Sequence, residues 1–137
     1  MNYRKFRLQR FWGHLFSGPF IWLPLLGLLL LDLMVSLYQA ICFPVYGIEK
    51  VKRSAYILVR DRNKLAYLDP LEKLGCMYCG YANGFLLYAK EIAGQTEKYW
   101  CGIMHAAKPG FKVQANQIEQ DFARFGDEAD CKKKYGA

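Results

Sequence analysis

The chain has 137 residues, with 19 Lys and Arg against 12 Asp and Glu, a net charge of +7 and only two histidines. Two histidines leave little for acid–base catalysis. No nucleophile–His–acid arrangement, paired-carboxylate motif or phosphate loop stands out, so the reading leans away from an enzyme. No nucleic-acid recognition motif accompanies the positive charge, and its simplest partner is a lipid bilayer with anionic headgroups.

Residues 1–15 form a basic tail in which Phe6, Phe11, Trp12 and Leu15 are interleaved with Arg4, Lys5, Arg7 and Arg10. That mixture suits an interfacial segment leading into a membrane. Residues 16–47, FSGPFIWLPLLGLLLLDLMVSLYQAICFPVYG, follow as the membrane-spanning segment. The run is unbroken and apolar over residues 20–31, and it resumes after Asp32 as far as Phe43. As helix, residues 20–43 would extend about 36 Å, enough to cross a hydrocarbon core with some tilt. A buried core helix fits less well, because the rest of the chain is too small to wrap a helix apolar on every face. A cleaved signal peptide also fits less well, since the run exceeds an h-region of about 7–15 residues and no A-x-A site follows. Gln39-Ala40-Ile41-Cys42 is a poor match to a lipoprotein cleavage site, which leaves Cys42 an ordinary helical residue.

Pro19 and Pro24 lie near the start of the run, where proline costs a helix least. Trp12, Trp22, Tyr38 and Tyr46 fall near its two ends, as an aromatic belt does. Asp32 is a membrane-buried acid. Such a group needs a partner, so it is expected to face another helix or subunit, a membrane-protein partner. Arg4, Lys5, Arg7 and Arg10 precede the run, and Lys50, Lys52, Arg53, Arg60, Arg62 and Lys64 follow it. The small excess on the second side favours a cytoplasmic C-terminal domain. A re-entrant hairpin broken near Asp32 would put both basic flanks on one side, but residues 28–31 offer no turn chemistry.

Residues 48–137 read as one small domain. SAYILV at 54–59, the polar stretch from Arg60 through Lys64 and LAYL at 65–68 predict a β-hairpin. Asp69-Pro70-Leu71-Glu72 predicts a capped helix start. Asn83-Gly84 predicts a break, and a second helix follows on the recurrence of Phe85, Tyr88, Ala89, Ile92, Tyr99 and Ile103. Lys90, Glu91, Glu97 and Lys98 are expected to face water, and Lys108-Pro109-Gly110 ends that helix. Residues 117–125 predict a short helix, and the terminal CKKKYGA is expected to be mobile. The fold class expected is α+β, mainly α: one N-terminal membrane helix, then a small domain with a β-hairpin and two or three helices.

Four residues carry the candidate chemistry. Cys76 and Cys79 form C-x-x-C, and Cys101 and His105 form C-x-x-x-H. Together they give a Cys3His set suited to zinc or iron, with Cys131 as a substitute fourth ligand, and a bound ion would stabilise so small a domain. CMYCGY, residues 76–81, resembles a rubredoxin-type metal knuckle, without that family's second C-x-x-C-G. Convergence on one ion requires the chain to reverse at Gly94-Gln95, because a continuous helix over residues 85–103 is about 27 Å long and holds its ends apart. The C-x-x-C alone has a redox reading, through a lowered thiol pKa, and the cysteines also fit as small buried apolar residues.

C-x-Y-C-x-Y-A-N-G followed by E-x-Y-W-C-x-I-x-H resembles a group of small uncharacterised bacterial single-span membrane proteins. The resemblance runs from the tail to His105, with Cys101-Gly102 standing where that group has Cys-Pro. It implies class and topology and no activity. The function expected is a membrane-anchored accessory or assembly protein with a Cys/His metal module. The alternatives are a membrane-tethered thiol–disulfide protein using Cys76 and Cys79, and a structural membrane subunit without a site.

Overall fold

A computed structural model of the protein describes residues 10–136. Its α-helices are α1 (Phe11–Tyr46), α2 (Pro70–Trp100), α3 (Ala115–Glu119) and α4 (Glu128–Tyr135), with single 3-10 turns at Arg53–Ala55 and Arg62–Lys64. Arg4, Lys5, Phe6 and Arg7 of the basic tail lie outside the described residues. Phe11, Trp12 and Leu15 belong to α1 itself.

α1 has 36 residues and continues straight through Asp32, so no re-entrant break occurs there. It is about 54 Å long at 1.5 Å per residue. Its most apolar window has a mean hydropathy of 2.2, and among the described residues it is the one helix long and apolar enough to cross a membrane. Gly47 ends it in the left-handed region at φ +68°, and the Ile48 amide donates back to the Phe43 carbonyl at 2.9 Å. This is the usual way an apolar helix satisfies its last carbonyls.

α2 starts as the sequence indicates. The Asp69 carboxylate accepts the Glu72 amide at 2.8 Å, Glu72 accepts the Asp69 amide at 3.0 Å, and Pro70 takes the first turn. It then runs for 31 residues through both Asn83-Gly84 and Gly94 without interruption. Local breaking tendencies of about 1 kcal/mol per glycine lose here to tertiary burial. Phe85, Tyr88 and Ile92 of α2 and Phe43 of α1 form the buried core, with Leu28, Val35 and Tyr38 packed against it.

The two long helices run parallel. Contacts climb both together, from Trp22 with Tyr78, through Asp32 with Tyr81 and Gln39 with Tyr88, to Tyr46 with Tyr99. The buried and half-buried positions of α1 include Leu25, Leu28, Asp32, Val35, Gln39, Cys42 and Tyr46 at alternating steps of three and four, with Ser36, Tyr38 and Phe43 beside them. That is the seam spacing of two helices packed at a shallow angle. Parallel neighbours need a connection that travels back along their length, and residues 47–69 are that return segment.

The β-hairpin expected from residues 54–68 is absent. Among the described residues there is no strand, only an isolated parallel bridge between Ile103 and Ala123. The fold is therefore mainly helical rather than α+β. A two-stranded hairpin buries little on its own. Residues 56–58 instead lie across Gly80 and Gly84 of α2, where a Cβ would stand 2.6 Å from the Leu58 carbonyl oxygen and 2.5 Å from that of Tyr56. Asp61, at the expected polar turn, caps the second 3-10 turn through the Arg62 amide at 2.7 Å.

The C-terminal residues dock on the far end of α2. Glu97, expected to face water, accepts from the Gln117 amide group at 2.7 Å and from that of Asn116 at 3.2 Å. Asn116 fits closely over Gly94, within 2.9 Å of where a Cβ would be, so that glycine serves packing rather than a turn. The short helix predicted for residues 117–125 forms earlier, as α3, and ends before Asp121, whose φ is +50°. Of the terminal stretch expected to be mobile, residues 131–135 form the end of α4, and the Tyr135 hydroxyl donates to the Gly102 carbonyl at 2.7 Å.

Charge fixes α4 in place. The Arg124 backbone amide, with help from Lys134, holds the Asp130 carboxyl below its usual pKa, and Asp121 with Asp130 raises the Lys134 ammonium. A lowered carboxyl stabilises above its unfolded value and loses that effect as pH falls through the folded one. A raised ammonium stabilises below its unfolded value and loses that effect as pH rises through the folded one. The docking of α4 should therefore hold between about pH 5 and pH 10 and loosen outside that range. The NMR shifts of the α4 amides, followed against pH, check this. A transition inside that window would contradict it.

Candidate functional site

The most organised polar site is the seam between the long helices. Asp32 is 8 % exposed. Arg53 grips it at two points, Nη1 to Oδ1 and Nη2 to Oδ2, each at 2.5 Å. The Tyr81 hydroxyl donates to Oδ2 at 2.7 Å and the Ser36 hydroxyl to Oδ1 at 3.3 Å. Two carboxylate oxygens offer about four acceptor positions, and the chain itself fills them. The helix partner expected for Asp32 is therefore met within the molecule, by α2 and the return segment.

Two turns further along α1, Gln39 does the same for the backbone. Its carbonyl oxygen accepts the Val51 amide at 2.8 Å, and its amide group donates to the Tyr88 hydroxyl at 2.8 Å and to the Val51 carbonyl at 3.4 Å. The Arg53 guanidinium lies 5.7 Å from the centre of the Tyr88 ring. The Tyr38 and Thr96 hydroxyls share a hydrogen bond of 2.9 Å. Asp32, Tyr38 and Gln39 thus each meet another segment at one register, which specifies pairing where apolar contacts would tolerate sliding. A fully engaged carboxylate with a permanent cation on it is a latch, with no acceptor left for a proton relay.

Sequence reasoning missed Arg53 as the partner of Asp32, since the pair needs the return path to bring it into reach. One signal was available. Gly80-x-x-x-Gly84 is a small-xxx-small pair that lets another backbone approach a helix closely.

The structure does not bring the proposed metal ligands together. Cys76 and Cys79 lie in the first third of α2, whereas Cys101 follows its last residue. Cys79 and Cys101 are thus separated by about 33 Å of unbroken helix. Ligand atoms of one zinc ion lie about 2.0–2.3 Å from it. The reversal at Gly94 that a shared centre required does not occur. His105 stands beyond Cys101, with Nε2 3.8 Å from Glu97 Oε1 and its ring 5.4 Å from that of Phe111. Cys131 sits on α4, and all five cysteines are free thiols. Among the described residues, no group of three or more His, Cys, Asp or Glu side chains is placed to hold a metal ion.

This separation gives a direct test. Cys76→Ser and Cys101→Ser should change stability independently, with the double variant equal to the sum within about 0.3–0.5 kcal/mol. Thermal unfolding of the three variants measures it. Strong non-additivity would mean that the two sites share a ligand.

The geometry defines a class: a parallel two-helix protein with one membrane-length apolar helix and a polar latch. No protein-family model matches the chain, and no curated protein or solved structure matches it either.

Proposed function

We propose that the protein is a membrane-anchored accessory protein, held in the bilayer by α1 and acting through association rather than catalysis. One observation carries this reading. Leu23, Leu26, Leu30, Leu33, Leu37, Ile41 and Val45 are all more than half exposed on α1, while Asp32 and Gln39 are buried against the chain itself. A contiguous apolar surface of this extent is not tolerated in water by a monomer and marks contact with lipid or another apolar surface.

The same geometry supports retention of α1. An N-terminal apolar helix is also what a cleaved signal sequence looks like. Here Phe43, Val35 and Leu28 of α1 belong to the core that α2 packs on. Removing α1 would strip α2 of its partner. The expected result is a full-length chain that stays with the membrane fraction and needs detergent for release. Fractionation followed by intact-mass measurement tests this. Full-length protein in the soluble fraction without detergent, or a chain shortened past Tyr46, would overturn it.

A further inference from the structure

We infer that α1 lies along one face of the bilayer rather than through it, with its apolar arc among the acyl chains and residues 47–69 in water against anionic headgroups. This rests on the anchoring reading above.

The first support is the distribution of polar groups around α1. His14, Ser17, Asp32, Ser36 and Gln39 all fall within a sector of about 100° when successive residues are placed 3.6 to a turn. The remaining circumference is apolar. The helix is therefore sided from Asp32 onward, where its polar groups lie opposite the exposed Leu33, Leu37 and Ile41, whereas residues 18–31 are apolar all round.

The second support is where the cations go. Lys50, Lys52, Arg53, Arg60, Arg62 and Lys64 are all exposed, and all lie on the return segment that covers the polar sector. Val51 meets Gln39 toward the C-terminal end of α1. Toward the middle of α1, Arg62 Nη2 lies 3.5 Å from the Cβ position of Gly80, which falls between the α2 residues that meet Trp22 and Asp32. The cations thus line the side of the helix pair away from the apolar arc.

The third support is the cost of the other orientation. α2 pairs with α1 from Trp22 to Tyr46, and the return segment lies between them. A slab of hydrocarbon that held residues 20–43 would also hold residues 51–62. Non-helical backbone is tolerated at that depth only when protein covers it, yet Ser54, Ala55 and Leu58 are exposed. Lying flat, the same backbone faces water. The side chain of Arg53 is 45 % exposed, which places the outer edge of its pair with Asp32 at the water boundary.

The flat orientation also accounts for the nearly equal basic flanks. With both ends of α1 on one side, their cations no longer compete to set a direction of crossing.

The test uses the full chain with an epitope tag at each end, expressed in cells and recovered in sealed vesicles, with protease added outside. Both tags should be lost together or protected together. One tag lost and the other protected would mean that α1 crosses, which overturns this inference and leaves the anchoring intact. Full-length protein in the soluble fraction would overturn both. In addition, Arg60→Gln and Lys64→Gln should each lower partition of the purified protein into phosphatidylglycerol vesicles about fivefold, with no change for neutral phosphatidylcholine vesicles. Unchanged partition into the anionic vesicles would remove the headgroup contact.

Discussion

Arg53→Ala is expected to lower the stability of the helix pair by about 3 kcal/mol, and Asp32→Leu by clearly less. The two changes remove opposite ends of one ion pair, but they leave different remainders. Without Arg53, the Asp32 carboxylate stays inside the seam with only the Tyr81 and Ser36 hydroxyls to hold it. A buried charge stripped of its counter-ion typically costs about 3–5 kcal/mol, and the partial exposure of Arg53 places this case at the low end. Without Asp32, the guanidinium is already 45 % exposed and can swing into solvent, while leucine matches the apolar residues around it. Unfolding in detergent, monitored by the aromatic signal, gives both values. The double variant should cost less than the sum, because the penalty from Arg53→Ala disappears once Asp32 is gone. Equal effects, or a larger loss from Asp32→Leu, would mean that the pair is not the latch described here.

The sequence disclosed what depends on neighbours along the chain. Asp69-Pro70-Leu71-Glu72 marked the start of α2 because each group in a capping box is within three residues of its partner. The apolar run marked α1 for the same reason. What depended on distant partners stayed hidden. Asn83-Gly84 has breaker composition, yet Gly84 faces the return segment and the helix passes through it. SAYILV has strand composition, yet its residues 56–58 pack across Gly80 and Gly84 of α2 instead of pairing as a strand. The Cys and His spacing fits a metal centre only if the chain reverses at Gly94, and Asn116, 22 positions along, occupies the face on which that glycine sits. In each case a residue's meaning was set by something that arrives from elsewhere in the chain. Asp32 was an intermediate case. That it needed a partner was legible, and which residue supplied it was not.

Gly84→Ala is expected to loosen the return segment, although alanine is the better helix former. In an exposed helical position the exchange gains about 1 kcal/mol. Gly75 is half-buried but has nothing within 4 Å of its Cβ site, so Gly75→Ala should stabilise the protein. At Gly84 the new methyl would stand 2.5 Å from the Tyr56 carbonyl oxygen and 2.9 Å from the Ile57 Cα. Both are backbone atoms, which cannot rotate away as a side-chain tip can. The return segment must lift, and overpacking of this kind costs about 1–3 kcal/mol, enough to reverse the helix-propensity gain. A bulkier change, Gly84→Leu, should displace residues 56–58 altogether. The Val51 amide reports on this, because its bond to Gln39 lasts only while the segment stays seated. Hydrogen exchange at Val51 should be unchanged or slower in Gly75→Ala, faster in Gly84→Ala and fastest in Gly84→Leu. The same rate in all four proteins would show that the return segment does not rest on Gly84.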